Sequence, residues 1–157
     1  MPNITTRHNE IAGSISATIK FALRKQNYRV YMADVRLWIP RYRLYTYTDV
    51  MLIQGEPIYA DKGTTTVKNP VMIAEVLSAS TQNYDRGGNT YYRSIPGTQE
   101  YILVSQQQYH VMQYVKTDGG WLLSECETED AVIKLGSVDL ELGVGELYTN
   151  VDFENTK

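Results

Sequence analysis

Two acidic side chains stand where acids are costly. Glu75 interrupts the apolar run Val71, Met72, Ile73, Ala74, Val76 and Leu77, which reads as a largely buried strand. Asp49 has a comparable setting in the segment TYTDVMLI. Brought together on adjacent strands, the two carboxylates would form a site for a hard divalent cation. Either acid could instead be a buried structural charge paired with an arginine.

Other polar residues are weaker candidates. Glu10 is a candidate supplementary ligand, or an acid at a helix start favoured by the helix dipole. His8 reads as a residue of the helix N-terminus and His110 as a strand residue facing solvent, neither with metal-ligand spacing. Ser78, Ser80 and Thr81 follow the Glu75 strand and could contact phosphate or only cap the next helix. Of thirteen tyrosines, Tyr91 and Tyr92 could stack on splayed bases, although strand and core packing accounts for most tyrosines. The single cysteine, Cys126, has no partner in the chain for a disulfide or a zinc cluster and reads as a strand residue.

Charge narrows the partner classes. The net charge of −3 argues against a dedicated high-affinity DNA binder, but the distribution is uneven. Residues 1–93 carry twelve Lys/Arg and seven Asp/Glu, and residues 94–157 carry three and eleven, giving +5 and −8. Lys20, Arg24, Lys25, Arg29, Arg36, Arg41 and Arg43 could supply a phosphate-binding surface or merely a solvated one. Weak, salt-sensitive nucleic-acid binding through the first ninety or so residues is the expectation.

These residues need a scaffold. The 157 residues, 43% hydrophobic, suit a single domain over 1–152 with a loose tail over 153–157. No apolar run nears the roughly 20 residues of a membrane span and the N-terminus has no secretory core, so a cytoplasmic location is expected. Ile11, Ile15, Ile19, Ala22 and Leu23 predict an amphipathic helix over 9–26, with Thr5 or Thr6 as its cap. Strands are predicted at 28–39, 46–53 and 71–77, then a short helix at 85–94 closed by Pro96 and Gly97. QEYILV, YHVMQYV and WLLSECE read as hairpin-connected strands. The order implies an α+β or α/β sandwich around one central sheet.

The ordered motifs carry a resemblance. A strand Asp, about 25 residues, an apolar strand with EVLSxST, then YDRGxx, YY and IPxxQEYILV resemble the Uma-two-type putative restriction endonucleases of the PD-(D/E)xK nuclease superfamily. RHNEIAGSI and MADVRLWI are similar to that family's first helix and following strand. The resemblance implies an α/β restriction-endonuclease-like fold, a central mixed β-sheet flanked by helices, and Mg²⁺- or Mn²⁺-dependent hydrolysis of DNA phosphodiesters. It implies Asp49, Glu75 and the Val76 carbonyl as metal ligands, and Ser78, Arg86 and Arg93 as nucleic-acid contacts. Asn89 falls at the catalytic position of the family's lysine, Leu77 having replaced the lysine of ExK; Lys68, Arg86 and Arg93 are the other nearby cations. Family members usually carry a strand hairpin before the first helix, where this chain starts. The expectation is thus an endonuclease weakened by loss of lysine and hairpin, or a catalytically degenerate nucleic-acid-binding or assembly module. A homodimer is expected by resemblance, since nucleases of this superfamily often pair subunits to cut both strands.

Overall fold

A computed structural model of the chain describes residues 5–77 and 90–153. The order is helix α1 (Thr6–Ala22), then strands β1 (Tyr28–Met32), β2 (Arg36–Ile39), β3 (Leu44–Tyr47), β4 (Val50–Gln54), β5 (Thr66–Val67) and β6 (Met72–Leu77). Residues 90–93 are helical. There follow β7 (Glu100–Ser105), β8 (Val111–Thr117), β9 (Gly120–Cys126), β10 (Val132–Lys134), β11 (Glu141–Gly143) and a one-turn helix α2 (Val144–Leu147).

Helix α1 begins where the sequence provides a cap: Thr5 Oγ1 accepts the His8 N–H at 3.0 Å. Its apolar stripe of Ile11, Ile15 and Ile19 is buried against one face of a six-stranded mixed sheet, ordered β1-β4-β6-β7-β8-β9. Within this sheet β6 and β7 pair in parallel and the other neighbours antiparallel, and every residue of β6 and β7 is buried. Their nearly continuous apolar runs therefore reflect a sheet covered on both faces.

The cover differs between the faces. Val50, Leu52, Met72, Ala74 and Val76 pack under α1, while the alternating residues Met51, Ile53, Ile73 and Leu77 pack against Leu37 and Ile39. Leu37 and Ile39 belong to a second sheet, β3-β2-β5, which occupies the layer where a flanking helix is expected. The predicted strand over 28–39 is in fact two strands in different sheets, divided at 33–35. Among the described residues no helix is long and apolar enough to cross a membrane.

A buried carboxylate ties β7 to the C-terminal segment. Glu100, fully buried, accepts from the Gln113 amide at 2.6 Å, the Ser137 hydroxyl at 2.6 Å, and the backbone N–H groups of Gly136 and Ser137 at 3.1 and 3.0 Å. Four donor groups satisfy this acid, so it reads as structural. Glycine at 136 permits the approach, since a Cβ there would lie 2.6 Å from Val115 Cγ1. Phe153, the first residue of the predicted loose tail, packs on Tyr109 and Tyr148 with ring centroids 5.0 and 5.4 Å away.

Candidate active site

Extending the antiparallel register of β4 and β6, in which Val50 faces Ala74 and Met51 faces Ile73, places Asp49 opposite Glu75. The period of two puts Glu75 on the same face as Ile73 and Leu77, in the layer between the two sheets. The side chains meet there. The Asp49 N–H donates to Glu75 Oε2 at 3.3 Å, the Val76 N–H donates to Asp49 Oδ2 at 2.7 Å, and the two carboxyl groups are themselves in hydrogen-bond contact.

Among the described residues, two further side chains join the cluster. The Tyr92 hydroxyl donates to Glu75 Oε1 at 2.8 Å, and His8 Nε2 lies 3.2 Å from Asp49 Oδ2. Burial, and after it the charge of Glu75, raises the Tyr92 hydroxyl far above its ordinary pKa of 10, so it stays a proton donor to the carboxylate. Burial alone would raise the Asp49 carboxyl. The bonds from His8, Glu75 and the Val76 N–H outweigh burial and hold it below its ordinary 3.8.

That shift has a consequence for stability. The Asp49 carboxyl ionises more readily folded than unfolded, so its stabilising contribution is complete above the unfolded pKa and is lost as pH falls through the lower folded value. Asp49→Asn should therefore flatten the fall in melting temperature between about pH 5 and pH 3. Thermal melts of both proteins across that range check it; parallel curves would contradict it.

His8 is the cluster member that sequence reasoning left as a helix-start residue. Its signal was present, because His8, Ile11, Ile15 and Ile19 share one stripe of α1, and a polar residue heads that buried stripe. Glu10, the helix acid considered as a supplementary ligand, is exposed. Two residues of helix turn about 200°, so His8 and Glu10 point to opposite sides.

The other expected site residues fall elsewhere. Ser78, Ser80, Thr81, Arg86 and Asn89 lie outside the described residues. Arg93 is exposed beside Arg41, Tyr42 and Trp121 around a depression of about 340 Å³, and Lys68 is exposed just after β5. Tyr92 is buried against Glu75 and Tyr91 meets Tyr42 edge-on with ring centroids at 4.8 Å, so the Tyr92 ring is not open to a base. Val76 meets Asp49 through its N–H.

The cations expected to form one surface divide in two. Lys20, Arg24 and Arg29 line a depression at the C-terminal end of α1, where Lys20 lies about 18 Å along the helix from His8. Arg36, Arg41 and Arg43 belong to the β2–β3 hairpin, whose last residue, Tyr47, is two positions before Asp49. His110, expected to face solvent, has Nε2 at 3.0 Å from Glu125 Oε1 and groups with Glu127, their ligand atoms all within 4.8 Å. The β8–β9 pairing brings these residues together despite their sequence separation.

Two adjoining carboxylates offer oxygen ligands of the kind hard divalent cations take, and their donor set fits Mg²⁺ or Mn²⁺ better than a soft metal. Repulsion between like charges in contact is relieved by a shared proton or by a cation.

Similarity to known proteins agrees with this architecture. A profile of the Uma2 family, described as "Putative restriction endonuclease", matches residues 1–145. The chain is 38% identical over 132 residues to "Uncharacterized protein sll1609" of Synechocystis sp., covering 83% of this chain and 75% of that one. It is 33% identical over 123 residues to "Uncharacterized protein slr1290" of the same organism, covering 77% of this chain and 63% of that one. The fold is similar to the crystal structure of a putative nuclease belonging to DUF820 from Anabaena variabilis, with a TM-score of 0.76 at 17% identity over 94% of this chain and 83% of the other. The architecture is thus the α/β restriction-endonuclease-like fold, with a mixed central sheet and few helices. By sequence and fold together, the chain belongs to the Uma2 family of putative restriction endonucleases.

Proposed function

We propose that this protein is a metal-dependent nuclease that hydrolyses DNA phosphodiesters at Asp49 and Glu75. The observation that carries the reading is the contact of these two acids, Asp49 just before β4 and Glu75 within β6. Asp49 and Glu75 would hold Mg²⁺ or Mn²⁺, with the Val76 carbonyl as a third oxygen ligand and water completing the shell. When bound, such an ion neutralises phosphate charge and lowers the pKa of water at the site.

The chain's own residues perform the positioning. Tyr92 donates to one oxygen of Glu75 and so fixes the rotation of that carboxyl group. His8 and the Val76 N–H converge on a single oxygen of Asp49, which sets the rotation of that carboxylate. Ile73 and Leu77, which flank Glu75 on the same face of β6, are buried apolar neighbours, and electrostatic interactions are stronger in such surroundings than in bulk water. Ser78, Arg86 and Arg93 are the proposed phosphate contacts, and Asn89 takes the position of the family's lysine.

A second reading follows from Asn89, whose neutral amide cannot supply positive charge: a degenerate module that keeps the scaffold and binds nucleic acid without cutting it. Incubation of supercoiled plasmid with Mn²⁺ decides between them. The nuclease reading expects slow nicking by the parent protein that disappears in Asp49→Asn. Nicking of equal rate in both proteins would assign it to a contaminant and remove the proposed site.

A further inference from the structure

The outer face of the β2–β3 hairpin carries a row of side chains that the two-acid site does not use. The register places Arg36 opposite Tyr47 and Trp38 opposite Tyr45, so all four project from one face, while Leu37 and Ile39 project into the core. Tyr45 and Tyr47 are 49% and 58% exposed. Trp38 packs on Tyr45 with ring centroids 4.6 Å apart, and the Arg36 guanidinium lies 4.1 Å over the Tyr45 ring, its Nε donating to Thr66 Oγ1 at 2.8 Å. These contacts hold the planar groups in place before anything binds.

The row has cations at its end. Arg41, at the hairpin tip, and Arg93, on the neighbouring helical residues, line one depression. Among the described residues neither these two nor Arg36 has a carboxylate partner, although acids outnumber Lys and Arg in the chain by eighteen to fifteen. A surface joining exposed rings to guanidinium groups complements a ligand that alternates flat apolar faces with negative charge. Unpaired nucleotides have that chemistry. A duplex hides its base faces in the stack and offers phosphates alone.

We infer that the β2–β3 hairpin is a stacking platform for an unpaired nucleic-acid strand, with Trp38, Tyr45 and Tyr47 receiving bases and Arg36, Arg41 and Arg93 receiving phosphates. This proposal rests on the nuclease reading and specifies its substrate class as single-stranded or frayed DNA. The platform adjoins the acids: Tyr47 precedes Asp49 by two residues, about 7 Å of extended chain, and Tyr92, which holds Glu75, directly precedes Arg93.

The test is fluorescence anisotropy of a labelled single-stranded dodecamer and of the same sequence as a blunt duplex, with the whole chain in EDTA. The single strand should bind at least about 10-fold more tightly than the duplex, and Tyr47→Ala should weaken it about 5-fold or more. Arg41→Ala combined with Arg93→Ala should make the affinity less steeply dependent on salt. In a Trp121→Phe background the dodecamer should quench the fluorescence of Trp38. Equal affinity for duplex, an unaffected Tyr47→Ala variant with an unchanged melting temperature, or equal binding of polyglutamate would each overturn the platform. Since EDTA removes metal from the assay, binding is judged independently of cleavage. A parent protein that holds the strand yet never cuts it with Mn²⁺ sinks the nuclease reading alone.

Discussion

Glu75→Ala should weaken Mn²⁺ binding by about 100-fold or more while the protein remains folded, because removing a direct carboxylate ligand should cost at least as much as losing its supporting partners. The variant loses the oxygens that face Asp49 and leaves the Tyr92 hydroxyl without its Glu75 acceptor. It also removes a charge from a buried position, so loss of hydrogen bonding and relief of carboxylate repulsion oppose each other. The net stability change should be within about 2 kcal/mol. Titration calorimetry with Mn²⁺, beside a thermal melt, measures both quantities. Glu125→Gln, in the cluster with His110 and Glu127, is the matched control and should leave affinity unchanged. Retained binding in Glu75→Ala together with loss in Glu125→Gln would move the ion to the β8–β9 face.

Asn89→Lys should raise metal-dependent plasmid cleavage by about 10-fold or more, from a low starting rate. The acids are present, and the resemblance puts a neutral amide where relatives place an ammonium beside the scissile phosphate. A positive charge there acts on charge that develops in the transition state, so turnover should rise more than DNA affinity. Single-turnover cleavage with DNA binding measured in parallel separates the two. If the variant folds, binds Mn²⁺ and cuts no faster than the parent, the degenerate-module reading is the better one.

Much of the scaffold was legible because burial imposes periodicity. Ile11, Ile15 and Ile19 marked α1, and the nearly continuous apolar runs at 71–77, broken by Glu75 alone, and 101–104 marked the two strands buried on both faces. The second sheet was not legible, since Arg36–Ile39 continues the strand-like composition of Tyr28–Met32 and the break at 33–35 shows no turn dipeptide of the usual kind. Strands β10 and β11 are three residues each and exist through mutual pairing, too short for a pattern. Composition flagged Glu75 and Asp49 because acids in apolar strands are rare. It passed over Glu100, whose four donors come from residues 113, 136 and 137 and are assembled only by tertiary folding. His8 was passed over for a related reason: its position on the stripe was visible, but which strand end the helix start would meet was not.

The most direct measurement of the central claim is the anomalous difference map of crystals grown with Mn²⁺. A peak is expected between the Asp49 and Glu75 carboxylates, with the Val76 carbonyl in its coordination shell. A fully occupied peak at His110, Glu125 and Glu127 with none at Asp49 and Glu75 would contradict it.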